Sequence, residues 1–169
     1  MSTSKEVEIE QGMTGALELY KKSFDILLST YESLRKQHGS LPQKFVGRQK
    51  DEHYEDFILK AANCKHQSIE LWRDATGSFE SLVADLEYFE ANLQLYLADA
   101  FLQDHGFERA TDKLRESFVK TNPLIKDLIK TQGKLKSLSG ATEKLVKAFE
   151  NDETNCRRLL ERQTKYLGV

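Results

Sequence analysis

An unusually apolar stretch, residues 78–104, constrains the fold more than any other part of the chain. Its apolar residues recur at alternating steps of three and four, the spacing of one face of an α-helix. They are Phe79, Leu82, Leu86, Phe89, Leu93, Tyr96 and Ala100. The second half adds apolar residues on other sides of the same helix, namely Leu95, Leu97, Phe101 and Leu102. Because such a helix needs cover from more than one neighbour, we expect it to lie inside a helical bundle.

Heptad spacing recurs on three other segments of the chain. The first row is Met13, Leu17, Tyr20, Phe24, Leu27, Tyr31 and Leu34, and the second is Tyr54, Phe57, Ala61, Cys64, Ser68 and Leu71. The last row is Leu128, Leu135, Leu138, Leu145, Phe149, Cys156, Leu159 and Tyr166. With only two Pro and 31% charged residues among 169, long solvated helices are favoured over strands. The sequence predicts an all-α fold, an elongated antiparallel bundle of three to four long, coiled-coil-like helices.

Several local signals predict where the bundle and its helices begin and end. The polar, acidic residues 1–12 are predicted to be a disordered tail, and residues 13–168 a single helical bundle domain. The first helix should end at Gly39, followed by a connection that runs to about residue 47. His105-Gly106 should end the central helix. Asn122-Pro123 has the residue types of a helix cap and first helical position, so one long C-terminal helix should start there.

Gly77 leaves two alternatives open for residues 49–104. It can end one helix, with Ser78 capping the next. Alternatively, a single helix runs through the glycine at a cost of about 1 kcal/mol. The apolar row shifts slightly at this point, which is typical of a stutter that a continuous helix tolerates. The pattern therefore favours continuity.

Charge and cysteine content restrict the compartment and the partners. A net charge of -2 and a pI near 6.1 do not fit a nucleic-acid-binding protein. Two cysteines, Cys64 and Cys156, are too few for a disulfide framework and indicate a reducing compartment. The N-terminus lacks the apolar core of a signal peptide, and the uncharged run 91–98 is far too short for a membrane span. We expect a soluble intracellular protein of the cytoplasm.

Neither a catalytic site nor a metal site is indicated. None of the four histidines, at positions 38, 53, 66 and 105, follows an acidic residue by three positions, so the Glu-x-x-His pairs of di-metal bundles are absent. Cys64 and His66 lie about 200° apart on a helix. There is no P-loop, nucleophile elbow or Gly-rich dinucleotide turn. We expect no enzymatic activity, no cofactor and no metal.

The clearest charge asymmetry separates acidic residues 74–105 from basic residues 109–136. The basic residues that are candidates for binding a partner are Arg109, Lys113, Lys120, Lys126, Lys130 and Lys134. The last three are spaced by four and share one side of a helix. They predict a docking strip for an acidic protein or for an anionic membrane surface. The alternative is that the acidic and basic segments lie side by side and neutralise each other.

Heptad rows of this length exceed what a compact globule of this size needs, which favours self-association or a partner helix. We therefore interpret the chain as a non-catalytic scaffold or adaptor module that binds proteins through helical surfaces and forms a homodimer. An alternative follows from helix lengths alone. A long first helix, a long second helix and a Pro-started third are similar to BAR-type membrane-curvature dimers, and this resemblance implies a helical dimer that binds membrane surfaces.

Overall fold

The computed structural model describes residues 4–41, 51–106 and 111–166, and within these ranges it is 96% helical and has no strands. The helices are α1 (Ser4–Ser40), α2 (Asp51–Tyr96), α3 (Ala98–Asp104), α4 (Asp112–Thr121) and α5 (Pro123–Tyr166). The long helices α2 and α5 pack against α1. The predicted all-α bundle is confirmed.

Residues 1–25 and 76–136 form the first of two compact units. Its buried apolar residues are Met13, Leu17, Tyr20, Leu82, Leu86, Phe89, Leu93, Ala98, Leu102, Val119, Ile125, Leu128 and Leu135. Gly12 packs against Phe89, and further along α1 the Tyr20 hydroxyl donates to Asp85 at 2.7 Å. Because the residue numbers rise on α1 while they fall on α2, the two helices run antiparallel, as predicted.

Residues 26–75 and 137–169 form the second unit. Its buried apolar residues are Leu27, Leu34, Tyr54, Phe57, Ile58, Ala61, Cys64, Leu71, Ala75, Leu138, Leu145, Phe149 and Cys156. The Cys156 thiol lies 3.6 Å from the Tyr54 carbonyl oxygen, and Lys65 Nζ lies 2.6 Å from Glu153 Oε2. In this unit α2 and α5 are therefore antiparallel. Nearly all of the buried residues are those that the heptad rows predict.

Helix α2 runs through Gly77 without a break, which confirms the continuous alternative. Gly77 is exposed, and a Cβ built on it would have no heavy atom within 4 Å. The core residues on either side of it, Ala75 and Leu82, are both fully buried. Gly77 is therefore an exposed position inside a continuous helix and does not mark its end.

The central helix is interrupted at Leu97, a break that the sequence did not predict. Leu97 has φ -119° and ψ -32°, yet its amide still donates to the Leu93 carbonyl at 3.1 Å. Beyond it, Ala98 and Leu102 are buried, whereas Tyr96, predicted for the core row, is 46% exposed. The distortion therefore changes which side of the segment faces the core.

The end of α3 agrees with the predicted terminator His105-Gly106. The His105 amide donates to the Phe101 and Leu102 carbonyls, and the Gly106 amide donates to the Gln103 carbonyl. Gly106 has φ +83°, a left-handed conformation that costs glycine little because it has no Cβ.

The predicted disordered tail over residues 1–12 is wrong for residues 4–12, which belong to α1. These residues have a packing partner in α2 that a local pattern does not reveal. A Cβ on Gly12 would lie 3.3 Å from Phe89 Cε1, and Lys5 Nζ lies 4.1 Å from the Tyr96 ring centroid. Residues 1–3 lie outside the described ranges, as does most of the predicted connection at residues 40–47. The single domain over residues 13–168 stays a prediction.

The start of α5 is as predicted. Asn122 Oδ1 accepts hydrogen bonds from the backbone amides of Leu124 at 2.9 Å and Ile125 at 3.3 Å. Two polar positions in the α5 core row, Thr131 and Thr142, are buried. Each threonine hydroxyl donates to the carbonyl oxygen four residues earlier. Burial of the two hydroxyls therefore leaves neither of them without an acceptor.

Candidate functional site

The side of α2 that faces away from the first unit's core carries an uncharged row of residues. The row consists of Gly77, Ser81, Ala84, Tyr88, Ala91 and Leu95, all of them exposed. Their steps alternate between four and three, so at 100° per residue they occupy a sector of about 80°. Leu82, Leu86 and Leu93 are buried on the opposite side of the helix. We call this row the α2 outer face.

Two large side chains stand out from the α2 outer face. Leu95 is 72% exposed and Tyr88 is 63% exposed, whereas the other four members of the row are small. Within the described residues, no neighbouring helix covers this side of α2. Small residues between two larger ones allow the axis of an added helix to come close, because the distance between helix axes depends on side-chain size at the contact.

Acidic residues border the α2 outer face on both edges. Glu80 and Glu87 are exposed on one edge, and Asp85 lies on the other. The Tyr20 hydroxyl donates to Asp85 Oδ2 at 2.7 Å. Burial and this hydrogen bond together raise the Tyr20 pKa, so Tyr20 stays protonated and holds the carboxylate in place. The sequence contains no Lys or Arg from residue 74 to residue 108, so α2 itself supplies no cation to these edges.

One cleft, of about 390 Å³, lies beside the α2 outer face where α1 packs on α2. It is lined by Lys5, Glu8, Ile9, Gly12, Tyr88, Phe89, Asn92 and Tyr96. The Lys5 ammonium sits over the Tyr96 ring, 4.1 Å from its centroid, a distance at which a cation is attracted to the face of an aromatic ring. Tyr88 belongs both to this cleft and to the outer face.

A second cleft, of about 530 Å³, lies on the other side of the outer face. It is lined by Ala91, Gln94 and Leu95 of α2, Asp99 of α3, and Asp112, Arg115 and Glu116 of α4. The rings of Phe101 and Phe118, whose centroids are 4.8 Å apart, join α3 to α4 beside it. The cleft thus places Leu95, the single leucine of the α2 outer face, beside three carboxylates and one guanidinium.

Arg115 is held by both of its acidic neighbours in this cleft. Its Nε and Nη2 donate to the two carboxylate oxygens of Asp99, at 2.9 and 3.2 Å, and its Nη1 donates to Asp112 at 3.2 Å. The Asp99 contact is the main reason that the Arg115 pKa is raised. Because the guanidinium donors point at these carboxylates, Arg115 offers little positive charge to a ligand.

The basic residues that the sequence suggested for binding lie mostly on exposed positions. Lys113 and Lys120 are exposed on α4, and Lys126, Lys130 and Lys134 are exposed on α5. Arg109 lies outside the described residues. Their role in binding a partner stays a prediction.

Several of these lysines have neighbours on their own helix or in the first unit. Lys120 Nζ lies 3.7 Å from Glu116, and Lys130 Nζ lies 3.1 Å from Asp127. Lys134 Nζ lies 5.6 Å from the centroid of the Phe24 ring. Such exposed pairs contribute little free energy, so these contacts leave the lysines available to a partner.

The alternative, in which the acidic and basic segments pair with each other, has support from one contact. Arg115 belongs to the basic segment and Asp99 to the acidic one, and their bidentate ion pair joins the two. The ion pairs of Lys120 and Lys130, in contrast, connect residues within the basic segment. The two segments therefore meet at Arg115, which was absent from the predicted binding residues.

The two cysteines are free thiols buried in the second unit. The Cys64 thiol donates to Gln37 Oε1 at 3.2 Å. Burial raises the pKa of both thiols, which disfavours the reactive thiolate. Within the described ranges, no group of three or more His, Cys, Asp or Glu side chains is arranged to hold a metal ion. No helix there is both long and apolar enough to cross a bilayer.

The α2 outer face was missed because the sequence analysis followed the strongest apolar row. That row contains Leu82, Leu86 and Leu93, which are buried. The outer row has only two large members, Tyr88 and Leu95, so a search for hydrophobic periodicity passes over it. The sequence does contain a signal for the outer face. Six positions in heptad spacing, opposite the buried row, carry no charge, although this helix is otherwise rich in carboxylates.

Comparison of the chain with protein-family models, with curated proteins and with solved structures finds no match in any of the three.

Proposed function

We propose that the protein is a non-catalytic scaffold or adaptor module that binds another protein through its helical surface. The observation that carries the proposal is the α2 outer face, an uncharged row of six exposed residues opposite a fully packed core. Single exposed hydrophobic residues are common on protein surfaces. Here Tyr88 and Leu95 share one side of α2 with four small uncharged residues in heptad spacing, an arrangement that can receive another helix.

The second unit provides a matched control for this proposal. Leu59 lies on the same helix as Leu95 and is 70% exposed, compared with 72% for Leu95. It does not belong to the α2 outer face. A charge introduced at either leucine should have a similar and small effect on stability, because both side chains are mostly in solvent. Only the charge at Leu95 should interfere with a partner on the outer face.

The experiment compares the proteins that the wild type, Leu95→Glu and Leu59→Glu retain from a cell extract. Quantitative mass spectrometry should find at least one protein that the wild type and Leu59→Glu retain and that Leu95→Glu loses by at least about tenfold. Circular dichroism of all three proteins checks that they remain folded. The same set of proteins at the same levels for all three would contradict the proposal.

The buried free thiols of Cys64 and Cys156 support a second part of the proposal, that the protein works in the reducing environment of the cytoplasm. The absence of enzymatic activity also remains a proposal. Elemental analysis of the purified protein tests the one enzyme class that helical bundles commonly support, the di-metal oxidases. A stoichiometric transition metal would contradict a purely non-catalytic function.

A second candidate function is binding to an anionic membrane surface, as the resemblance to BAR-type dimers implies. The observation that favours it is the exposed row Lys126, Lys130 and Lys134 on one side of α5. Under this function the protein co-sediments with phosphatidylserine vesicles at low salt, and replacing the three lysines by Glu abolishes the binding. Exposed lysines 21, 22 and 36 of α1 provide a control triple substitution with the same change in net charge.

A further inference from the structure

We propose that the partner of the α2 outer face is an amphipathic helix of another protein, with apolar residues in heptad spacing and Lys or Arg at the flanking positions. This inference rests on the proposed function and adds the chemistry of the partner. It is carried by two independent features of the first unit, the geometry of the outer face and the charge of its edges.

The geometry favours a helix as the occupant. The outer face extends from Gly77 to Leu95, which is about 27 Å along the helix axis. Its residues follow one another at alternating steps of four and three, which is the spacing of the interface residues of a coiled coil. Tyr88 and Leu95 project from it, while the small residues between them leave space for side chains from the facing helix. A partner helix with the same periodicity can place an apolar side chain beside each small residue.

The edges of the face favour a basic partner. Glu80 and Glu87 occupy one edge and are exposed, and Asp85 occupies the other. In paired helices, residues that flank the apolar row meet the flanking residues of the partner, where opposite charges attract and like charges repel. A helix with Lys or Arg at these positions is therefore favoured, and a helix with Asp or Glu there is disfavoured.

The second cleft extends the acidic border beyond the end of α2. Asp112 and Glu116 of α4 line it together with Leu95, and the Asp112 side chain is 94% exposed. The one guanidinium in the cleft, that of Arg115, is already engaged by Asp99 and Asp112. Asp112 already pairs with Arg115, and Glu116 pairs with Lys120. Because such exposed pairs contribute little free energy, basic side chains at the end of a partner helix can compete for these carboxylates next to Leu95.

The same charges argue against two other occupants of this face. A second copy of the chain placed with its own outer face here would set Glu80 and Glu87 against the carboxylates of the other copy. An anionic membrane would be repelled by the edge with Glu80 and Glu87. Neither occupant satisfies the charge of the edges, whereas a basic helix satisfies both the edges and the apolar row.

Two designed peptides test the inference directly. They share a helical length of about three heptads and identical apolar residues, but one has Lys and Arg at all flanking positions and the other has Glu. Fluorescence anisotropy with the full-length protein should show binding of the basic peptide and no binding of the acidic one. Binding should weaken at high salt. It should weaken at least about tenfold in Leu95→Glu and remain unchanged in Leu59→Glu.

A charge reversal sharpens the test. The double variant Glu80→Lys/Glu87→Lys leaves the apolar row intact but makes one edge basic. It should lose affinity for the basic peptide and gain affinity for the acidic one. Because both glutamates are exposed, the variant should fold as the wild type does, which circular dichroism checks. Equal binding of the two peptides to the wild type, or no shift of preference in the double variant, would overturn the inference.

The outcomes separate this inference from the proposed function. Suppose that Leu95→Glu loses a cellular partner although neither peptide binds, or although both peptides bind equally. In either case the proposed function stands, and the inference of a basic partner helix is wrong. If Leu95→Glu loses no partner and no peptide binds, both are wrong. Two further results would also overturn the inference by identifying another occupant. One is vesicle binding that Leu95→Glu abolishes, and the other is a dimer that Leu95→Glu dissociates.

Discussion

At the scale of single residues, Glu153 is the most heavily engaged carboxylate of the second unit. Its Oε2 lies 2.6 Å from Lys65 Nζ and its Oε1 lies 2.9 Å from Arg157 Nη2, while the side chain is only 13% exposed. The hydrogen bonds from Lys65 and Arg157 lower the pKa of Glu153 below its ordinary value. Ion pairs on fully exposed surfaces contribute little, but the pair with Lys65 links α2 to α5 through a carboxylate that is largely shielded from solvent.

We predict that Glu153→Gln lowers the free energy of unfolding at pH 7 by about 1.5 kcal/mol, the lower end of what hydrogen bonds to a charged group contribute, because Lys65 and Arg157 keep part of their exposure to solvent. A carboxylate whose pKa is lowered by folding stabilises the protein above its unfolded pKa, about 4.3. That contribution is lost as the pH falls through the folded pKa. The difference between wild type and variant should therefore shrink in urea denaturation series as the pH is lowered from 7 to about 3.

The control for this prediction is Glu150→Gln. Glu150 lies one turn earlier on α5 and is exposed, so its substitution should change the free energy of unfolding by less than about 0.5 kcal/mol. A Glu153→Gln effect that stays constant over the whole pH range would mean that charge pairing is not its cause.

At the scale of the helix, Gly77 shows how a residue that usually ends helices can be retained inside one. Alanine at this position would lie in open space, since no heavy atom comes within 4 Å of its Cβ. We predict that Gly77→Ala raises the free energy of unfolding by about 0.5–1 kcal/mol, because it removes backbone freedom from the unfolded chain. Thermal or urea denaturation measures the gain.

Gly12→Ala is the contrasting variant. Its Cβ would lie 3.3 Å from Phe89 Cε1, so contact with the ring should cancel the entropic gain. If Gly77→Ala failed to stabilise the protein, the account of Gly77 as an unstrained residue inside a continuous helix would be wrong.

The start of α5 depends on one side chain, Asn122, which accepts hydrogen bonds from the amides of Leu124 and Ile125. We predict that Asn122→Ala lowers the free energy of unfolding by about 1 kcal/mol, because two amides of the first turn lose their acceptor. Asn122→Asp should retain most of the stability, since its carboxylate can accept the same bonds and is favoured at a helix N-terminus. Chemical denaturation that finds Asp as damaging as Ala would contradict this role.

At the scale of the whole molecule, a net charge of -2 hides a strong separation of charge between segments. No Lys or Arg occurs from residue 74 to residue 108, whereas exposed lysines follow on α4 and α5. The acidic segment borders the uncharged α2 outer face, whereas the basic segment includes the exposed row Lys126, Lys130 and Lys134. The two segments therefore favour different kinds of partner.

This separation leads to a prediction about self-association, which the heptad rows favour. Because pairing of two α2 outer faces would oppose like charges, we expect a homodimer to use another surface. Light scattering should give the same mass for the wild type and Leu95→Glu at equal concentration. A wild-type mass near twice the 19.4 kDa of one chain, with Leu95→Glu at half that value, would contradict this expectation.

The sequence by itself determined the helical class and most of the core. The rows beginning at Met13 and Phe79 and the α5 row bury most of the residues that their spacing predicts, because a helix places every third or fourth residue on one side whatever its neighbours are. Phe24, Tyr31 and Phe79 are only half-buried, and Tyr96 and Leu159 are exposed. The cap at Asn122 and the terminator at Gly106 were likewise predictable, since their chemistry is local. For the same reason Gly77 could be placed inside a helix, because the apolar row continues across it.

Only the tertiary structure decided which apolar residues are covered and which charges meet. The helical conformation of residues 4–12 depends on contacts with Phe89 and Tyr96, which are more than seventy positions away in the sequence. The break at Leu97 depends on how Ala98 and Leu102 pack in the core. The exposure of Leu95 likewise depends on where the other helices lie. Periodicity defines the sides of a helix, but burial depends on the neighbours of each side, and those neighbours come from distant parts of the chain.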